Sequence, residues 1–291
     1  MENTNEKSGV IVMMVGGLFR YAPGGIIALA TDYLDARGYM LITITASTDT
    51  NINLKYLDFI AKNADGLVLF GDVMDNATLT AHLPKDFPLV YLFSKPAGSP
   101  HTAIFLNNYS AIYSVFLSQA ERGHKKFGCI LESPEIVVSG EARKAYQDII
   151  LANDWKYDEQ NIFYIPDDNS ENIENAVSTL RKNGCTSIFS GSHRLTYLVL
   201  NHLLRTNSPN DNPVELSGIV TSTETNSLYD SINAVIEPLD QLIILAFQQV
   251  IYQMSHPGDY HEYIIKSTFE MRSLEPFYTD TLRSDSREGQ Q

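Results

Sequence analysis

Seven histidines and two cysteines are the side chains in this 291-residue chain best suited to holding a metal or attacking a substrate. The histidines are His82, His101, His124, His193, His202, His256 and His261, and any pair on one helix face would still need a third ligand from elsewhere. His124 follows Gly123 at a helix end, where the helix dipole favours an imidazolium, and it reads as structural. Cys129 and Cys185 stand in apolar, strand-like runs and read as buried free thiols, as expected in a reducing compartment. No G-x-S-x-G, H-E-x-x-H, C-x-x-C, G-x-x-x-x-G-K-[ST] or G-x-G-x-x-G is present. Gly16-Gly17 and Gly24-Gly25 lie in the first strand-to-helix loop, where doubly wound folds take ligands, but their spacing matches no phosphate cradle. The expectation is a protein that binds rather than reacts, with no catalytic residues, no metal and no cofactor.

Binding residues need elements to hold them. Apolar, β-branched runs at 9–15, 39–45, 66–70, 89–93 and 102–106 read as strands. The first helix carries Ile26, Ala30, Tyr33, Leu34 and Arg37 on one face and closes at Gly38; the second carries Ile52, Tyr56, Phe59 and Ile60. A second series of strands reads at 126–131, 161–165, 186–190, 217–221 and 233–237, with helices near 140–152, 171–183, 193–205 and 240–254. The last of these is apolar nearly all round, which predicts burial between layers or in a dimer contact. Short strands alternating with helices give parallel βαβ units, and about ten strands are too many for one sheet at this length. Two stacked α/β lobes follow.

The formal net charge is -14, and the longest basic cluster is Lys125-Lys126, so the chain lacks the basic stripe that neutralises phosphates in a nucleic-acid reader. No apolar run reaches the ~20 residues of a membrane span, and no leader-like opening is seen. A cytoplasmic protein that does not associate with membrane is expected.

Ordered motifs then narrow the class. They are Arg37-Gly38-Tyr39, Ala64-Asp65-Gly66-Leu67-Val68-Leu69, Leu89-Val90-Tyr91-Leu92-Phe93, Arg122-Gly123-His124-Lys125-Lys126-Phe127-Gly128, Glu141-Ala142-Arg143-Lys144-Ala145-Tyr146, Thr186-Ser187-Ile188-Phe189, Val235-Ile236-Glu237-Pro238 and Arg272-Ser273. Their order, over about Gly9 to Ser273, resembles the effector-binding core of LacI/GalR-type (lactose-repressor/galactose-repressor) transcriptional regulators. The resemblance implies an α/β fold of two Rossmann-like parallel-sheet lobes joined by three crossovers, the periplasmic-binding-protein-like type I architecture. It implies an N-terminal lobe of 9–106 plus 238–266, a C-terminal lobe of 107–237 plus 267–282, and disordered tails at 1–8 and 283–291. The crossovers fall near Leu106–Asn108, Glu237–Pro238 and Lys266–Ser267.

The same resemblance implies a homodimer that senses a sugar or sugar derivative. Ligand closure of the inter-lobe cleft would control operator DNA through an N-terminal helix-turn-helix that this sequence does not contain. The matching ligand-binding residues are Phe19, Tyr21, Phe93, Ser94 and Arg143, to which Ser192, His193, Ser222 and Glu224 are added because they follow strands. Aromatic faces suit sugar C–H surfaces, and a guanidinium fork suits paired hydroxyls or an anion. Phe19 and Phe93 read equally as core aromatics, and Arg143 as an ion-pair partner of Glu141 or Asp148. The chain departs from the family at Asn107-Asn108, His193 and Ser222–Thr223, where the family has carboxylates. His193 beside Arg194, together with Arg143 and Arg20, favours an anionic effector such as a phosphorylated or acidic sugar. A transporter's solute-binding protein, or an α/β enzyme acting on a sugar or nucleotide, are the rival readings.

Overall fold

The computed structural model describes residues 8–16, 24–167, 169–206, 214–223 and 232–272. The chain divides into two compact units, Met1–Leu106 with Pro238–Ile265 and Asn107–Glu237 with Lys266–Gln291, so it passes from one to the other three times. The tails expected at 1–8 and 283–291 lie outside the described residues except for Ser8, whose amide donates to the Asp65 carboxylate at 3.0 Å.

Unit 1 holds β1 (Val10–Val15), α1 (Gly24–Asp35), β2 (Met40–Thr45), α2 (Thr50–Asn63), β3 (Gly66–Phe70), α3 (Asn76–His82), β4 (Leu89–Leu92), β5 (Thr102–Asn107), α8 (Leu239–Gln253) and β11 (Glu262–Lys266). Its sheet runs β11-β5-β4-β3-β1-β2, with β1 to β5 parallel. Because successive strand residues point to opposite faces, the apolar runs feed two cores at once. Ile11, Met13, Val68, Phe70, Val90 and Leu92 pack with α1 and α8, whereas Val12, Met14, Leu67, Leu69 and Tyr91 pack with α2 and α3. The apolar helix α8 is therefore a core element of this unit: Leu242, Ile243, Ala246, Phe247 and Val250 are fully buried on the sheet.

Unit 2 holds α4 (Tyr109–Glu121), β6 (Phe127–Leu131), α5 (Val137–Ala152), β7 (Ile162–Tyr164), α6 (Ser170–Lys182), β8 (Ser187–Ser190), α7 (His193–Thr206), β9 (Glu215–Thr221), β10 (Asn233–Glu237) and β12 (Thr268–Glu270). The order is β12-β10-β9-β8-β6-β7, parallel except for β12, which runs antiparallel to β10. One face packs Phe127, Cys129, Leu131, Phe189 and Ile219 on α4 and α5; the other packs Ile130, Ile188, Leu216 and Val220 on α6 and α7. Both cysteines are buried and free. The helix α3 and the edge strands β11 and β12 are not apparent in the hydropathy pattern, because each is short and half or more of its residues face outward.

Helices α1 and α4 hand over to the next strand in one way. Gly38 (φ 77) and Gly123 (φ 96) take the left-handed conformation that glycine adopts without steric cost, and the residue after each donates back to the last helical turn, Tyr39 to Leu34 and His124 to Gln119. The turn at Gly123 aims His124 at Glu215 on β9. That carboxylate accepts from Arg122, from His124 Nε2 at 3.0 Å and from Asn233 Nδ2 at 2.8 Å. Burial pushes the Glu215 carboxyl up, but His124 and Arg122 outweigh it and hold it below the usual carboxylate range. His124 Nδ1 also meets Thr186 Oγ1 at 2.8 Å, so the Gly-His motif is structural, as its sequence position suggests.

No helix among the described residues is long and apolar enough to cross a membrane.

Truncating one partner of a paired buried charge leaves the rest uncompensated, so Glu215→Ala is expected to lower unfolding stability by about 3 kcal/mol. Trp155, the single tryptophan, packs on Phe127 in this core, so its fluorescence reports the loss. Because Glu215 is depressed, its contribution is present above its unfolded pKa and disappears as pH falls through the folded one. The difference between wild type and variant should shrink in acid; a constant difference would refute the assignment.

Candidate functional site

Parallel strands all end on one side of their sheet, and loops leaving that carboxyl edge are where open α/β sheets place ligand-binding groups. In unit 2 the edge is formed by the ends of β6, β8, β9 and β10. Glu132 follows β6 and is only 4% exposed. Arg194, in the first turn of α7, meets it as a fork: Nε donates to Oε1 at 3.1 Å and Nη2 to Oε2. The same guanidinium donates to the carbonyls of Ile165 at 2.8 Å and Asp167 at 2.5 Å. A planar fork with five donors can serve a carboxylate and two carbonyls together, which an ammonium cannot match in geometry. Ser192 caps α7, accepting from Leu195 N at 3.1 Å, and its hydroxyl donates to Glu132. β6, β8 and α7 are thus tied at one point.

The other expected residues of this unit are placed as follows. His193 is half-buried at the start of α7, on the same edge. Ser222 is exposed just after β9, and its amide donates to the Glu237 carbonyl at 2.9 Å. Arg143 lies on α5, where Nη2 donates to Glu159 at 2.7 Å and Tyr157 provides a further hydrogen bond. These partners belong to the segment following α5. They stand in place of Glu141 and Asp148, the partners of the alternative reading. Glu224 lies outside the described residues.

On unit 1 the carboxyl edge carries Phe93 directly after β4. Its φ of 70° is one of two positive values among described non-glycine residues. An L-residue pays roughly 1–2 kcal/mol for that conformation, and such strain clusters at ligand sites. The amide of Phe93 donates to Ile104 O at 2.9 Å, and its ring meets Phe70 edge-on at a centroid distance of 5.2 Å. Ser94, half-buried, follows it. Phe19 and Tyr21 lie outside the described residues.

A second polar cluster on unit 2 escaped the sequence reading of the site. Asn108, at the start of α4, donates through its backbone amide to Glu141 of α5 at 3.2 and 3.3 Å and through Nδ2 to Glu237 at the end of β10 at 3.1 Å. Ser267 Oγ donates to Asn108 Oδ1. Burial, and secondarily the Glu141 charge, push the Glu237 carboxyl up to about 7 against the opposing hydrogen bond from Asn108. The one signal available in sequence was a charged residue at the carboxyl end of an apolar strand, Glu132 just after β6 and Glu237 as the last residue of β10; spacing does not reveal the partners. Among the described residues no three His, Cys, Asp or Glu side chains stand together as a metal site.

No family model matches the chain, and no curated protein matches it. Solved structures do. The transcription regulator CcpA of Lactococcus lactis superposes with a TM-score of 0.74 at 18% identity, over 91% of this chain and 99% of that one. A LacI family transcriptional regulator from Enterococcus faecium with bound ribose gives 0.75 at 13% identity, over 92% and 99%. A transcriptional regulator CelR–cellobiose complex gives 0.73 at 16% identity, over 93% and 86%. The chain shares their fold of two parallel α/β sheets.

Arg194→Ala is expected to lower stability by about 3 kcal/mol, because Glu132 would stay buried without its partner. Arg143→Ala, which breaks an exposed pair, should cost less than about 1 kcal/mol. Chemical denaturation of both variants checks the ranking, and the reverse order would show that Glu132 is not held as described.

Proposed function

We propose that this chain is the effector-sensing and dimerisation core of a LacI-type transcriptional regulator, responding to a neutral sugar. One observation carries the reading: the two-sheet architecture, with three chain passages between its units, matches regulator structures over more than nine-tenths of the chain, and two of those are named with ribose and cellobiose bound. In this reading the chain binds and does not catalyse. It works as a homodimer in the cytoplasm, and operator DNA is read by a helix-turn-helix head that this sequence does not include. A net charge of -14 supports leaving DNA contact to another segment.

The charge arrangement refines the effector class. Arg194 is committed to Glu132 and two carbonyls, and Arg143 to Glu159 and Tyr157. The unit 2 edge also carries Glu141 and Glu237. A phosphosugar would meet carboxylates and guanidinium groups that are already engaged. Polar groups suit hydroxyls and an aromatic ring suits C–H faces: unit 2 offers His193 and Ser222 on its edge, and unit 1 offers Ser94 and Phe93 on its own. A ligand contacting Phe19 and Tyr21, which the resemblance implies, and Glu224, added because it follows a strand, would complete the expected set. Binding favours one arrangement of a protein only through contacts that differ between its states, and that difference would be relayed to the DNA-binding head.

Isothermal calorimetry with neutral pentoses, hexoses and disaccharides against their phosphates tests this reading. A neutral sugar should bind at least about tenfold more tightly than its phosphate, a difference of about 1.4 kcal/mol. Phosphosugar binding without a neutral response would overturn it. Gel filtration should give twice the 32.6 kDa of one chain; a monomer would favour a solute-binding protein.

A further inference from the structure

Glu132 is 4% exposed at the head of the loop that leaves β6, and the groups that hold it are themselves held by other contacts. Arg194 donates to both of its oxygens, through Nε at 3.1 Å and through Nη2, and Ser192 Oγ donates to Oε1. The guanidinium is also anchored apart from Glu132, by the carbonyls of Ile165 at 2.8 Å and Asp167 at 2.5 Å. The Ser192 hydroxyl is anchored apart from it too, by the Leu195 amide at 3.1 Å. Backbone packing sets the approach. Gly191 N donates to Ile130 O at 2.9 Å, and a Cβ on Gly191 would fall 2.5 Å from a Leu131 methyl. Glycine at that point lets β8 lead Ser192 alongside the end of β6.

Donors fixed in place without their acceptor form a preorganised socket. A guanidinium fork with a hydroxyl beside it matches a planar carboxylate, and equally two oxygens of a phosphate. The Arg143–Glu159 pair has no such character: those side chains are 41% and 69% exposed, against 23% and 6% for Arg194 and Glu132. The socket therefore has the form of an anion site, on the edge where open α/β sheets place ligand-binding groups, with the chain's own carboxylate seated in it.

We propose that Glu132 is a resident anion and the specificity-determining residue of the unit 2 edge: by filling the socket it shuts out carboxylates and phosphates and leaves the edge to uncharged ligands. An anion entering the wild type must expel Glu132, which is then buried without its partner and beside a second negative charge, so the exchange is unfavourable. The resident group is also tethered to its socket, which raises its effective concentration above that of a free anion. The socket belongs to this unit alone; its bearing on effector choice rests on the function proposed above.

Glu132→Ala removes a methylene and a carboxylate, the atoms of acetate less one hydrogen, and leaves Arg194 and Ser192 on their other anchors. Thermal unfolding of this variant in sodium acetate, against sodium chloride at the same pH and ionic strength, reads occupation of the socket, because a ligand bound by the folded state alone raises stability with its concentration. The melting temperature of the variant should climb with acetate and not with chloride, and the wild type should not respond. Adding Arg194→Ala to the variant should abolish the response. No acetate effect in Glu132→Ala, or an equal one in the wild type, overturns the socket. Should Glu132→Ala not fold in chloride, refolding from urea takes over: recovery in acetate supports the socket, and equal failure in both salts overturns it. Calorimetry with ribose and ribose 5-phosphate reads specificity. The preference for the neutral sugar should fall at least about tenfold in Glu132→Ala; an unchanged preference overturns the specificity role. A wild type that binds neutral sugar while the variant ignores acetate loses this inference alone. Acetate rescue in a protein that binds no sugar loses the proposed function and leaves the socket standing.

Discussion

A carboxylate taken out of water must be met by donors or by a proton, and the second unit is organised around three that meet this constraint differently. Glu215, at the amino end of β9, gathers an arginine, a histidine and an asparagine and stays ionised. Glu132, beyond the carboxyl end of β6, receives a guanidinium fork and a serine hydroxyl. Glu237, at the end of β10, has the Asn108 amide, and burial pushes its carboxyl up to about 7. At Glu215 the donors outweigh burial, and at Glu237 they do not. The same donors fix which elements each carboxylate joins: α4 to β9, α7 to β6, and β10 to the start of α4.

The position of these clusters divides structural from functional duty. The Glu215 cluster is at the amino edge of the sheet, under the turn that ends α4, and it secures the order in which helix and strand pack. The Glu132 and Glu237 clusters are at the carboxyl edge, where loops diverge. Unit 1 treats its own carboxyl edge differently, with the strained backbone of Phe93 and a ring set edge-on against Phe70. The carboxyl edge of unit 2 is ionic, and that of unit 1 is aromatic.

Much of the architecture was legible from hydropathy. The runs at 9–15, 66–70 and 89–93 are strands because residues buried on both faces must be apolar at every position, and α1 ends at Gly38 because a left-handed residue was needed there. The short pieces α3, β11 and β12 were not legible, since half-exposed segments of three to seven residues carry too little periodicity to stand out. At the candidate site, Ser192 and His193 were picked out because they follow a strand, and they do stand at the edge. The partners of Arg143 were misjudged. The alternative reading offered Glu141 or Asp148, nearby in sequence, but Tyr157 and Glu159 come back from beyond α5 to take the guanidinium.

By itself, the sequence determined the alternation of strand and helix and the ends of α1 and α4, because these depend on local propensity and on periods of two and 3.6 residues. Only the tertiary structure decided which charges would meet. Glu132 and Arg194 are 62 positions apart, Asn108 and Glu237 are 129 apart, and Asn108 and Ser267 are 159 apart. No local pattern encodes such pairs. They arise when parallel strands bring their carboxyl ends into register, and the low dielectric of that shared edge makes each pairing, and each proton, matter.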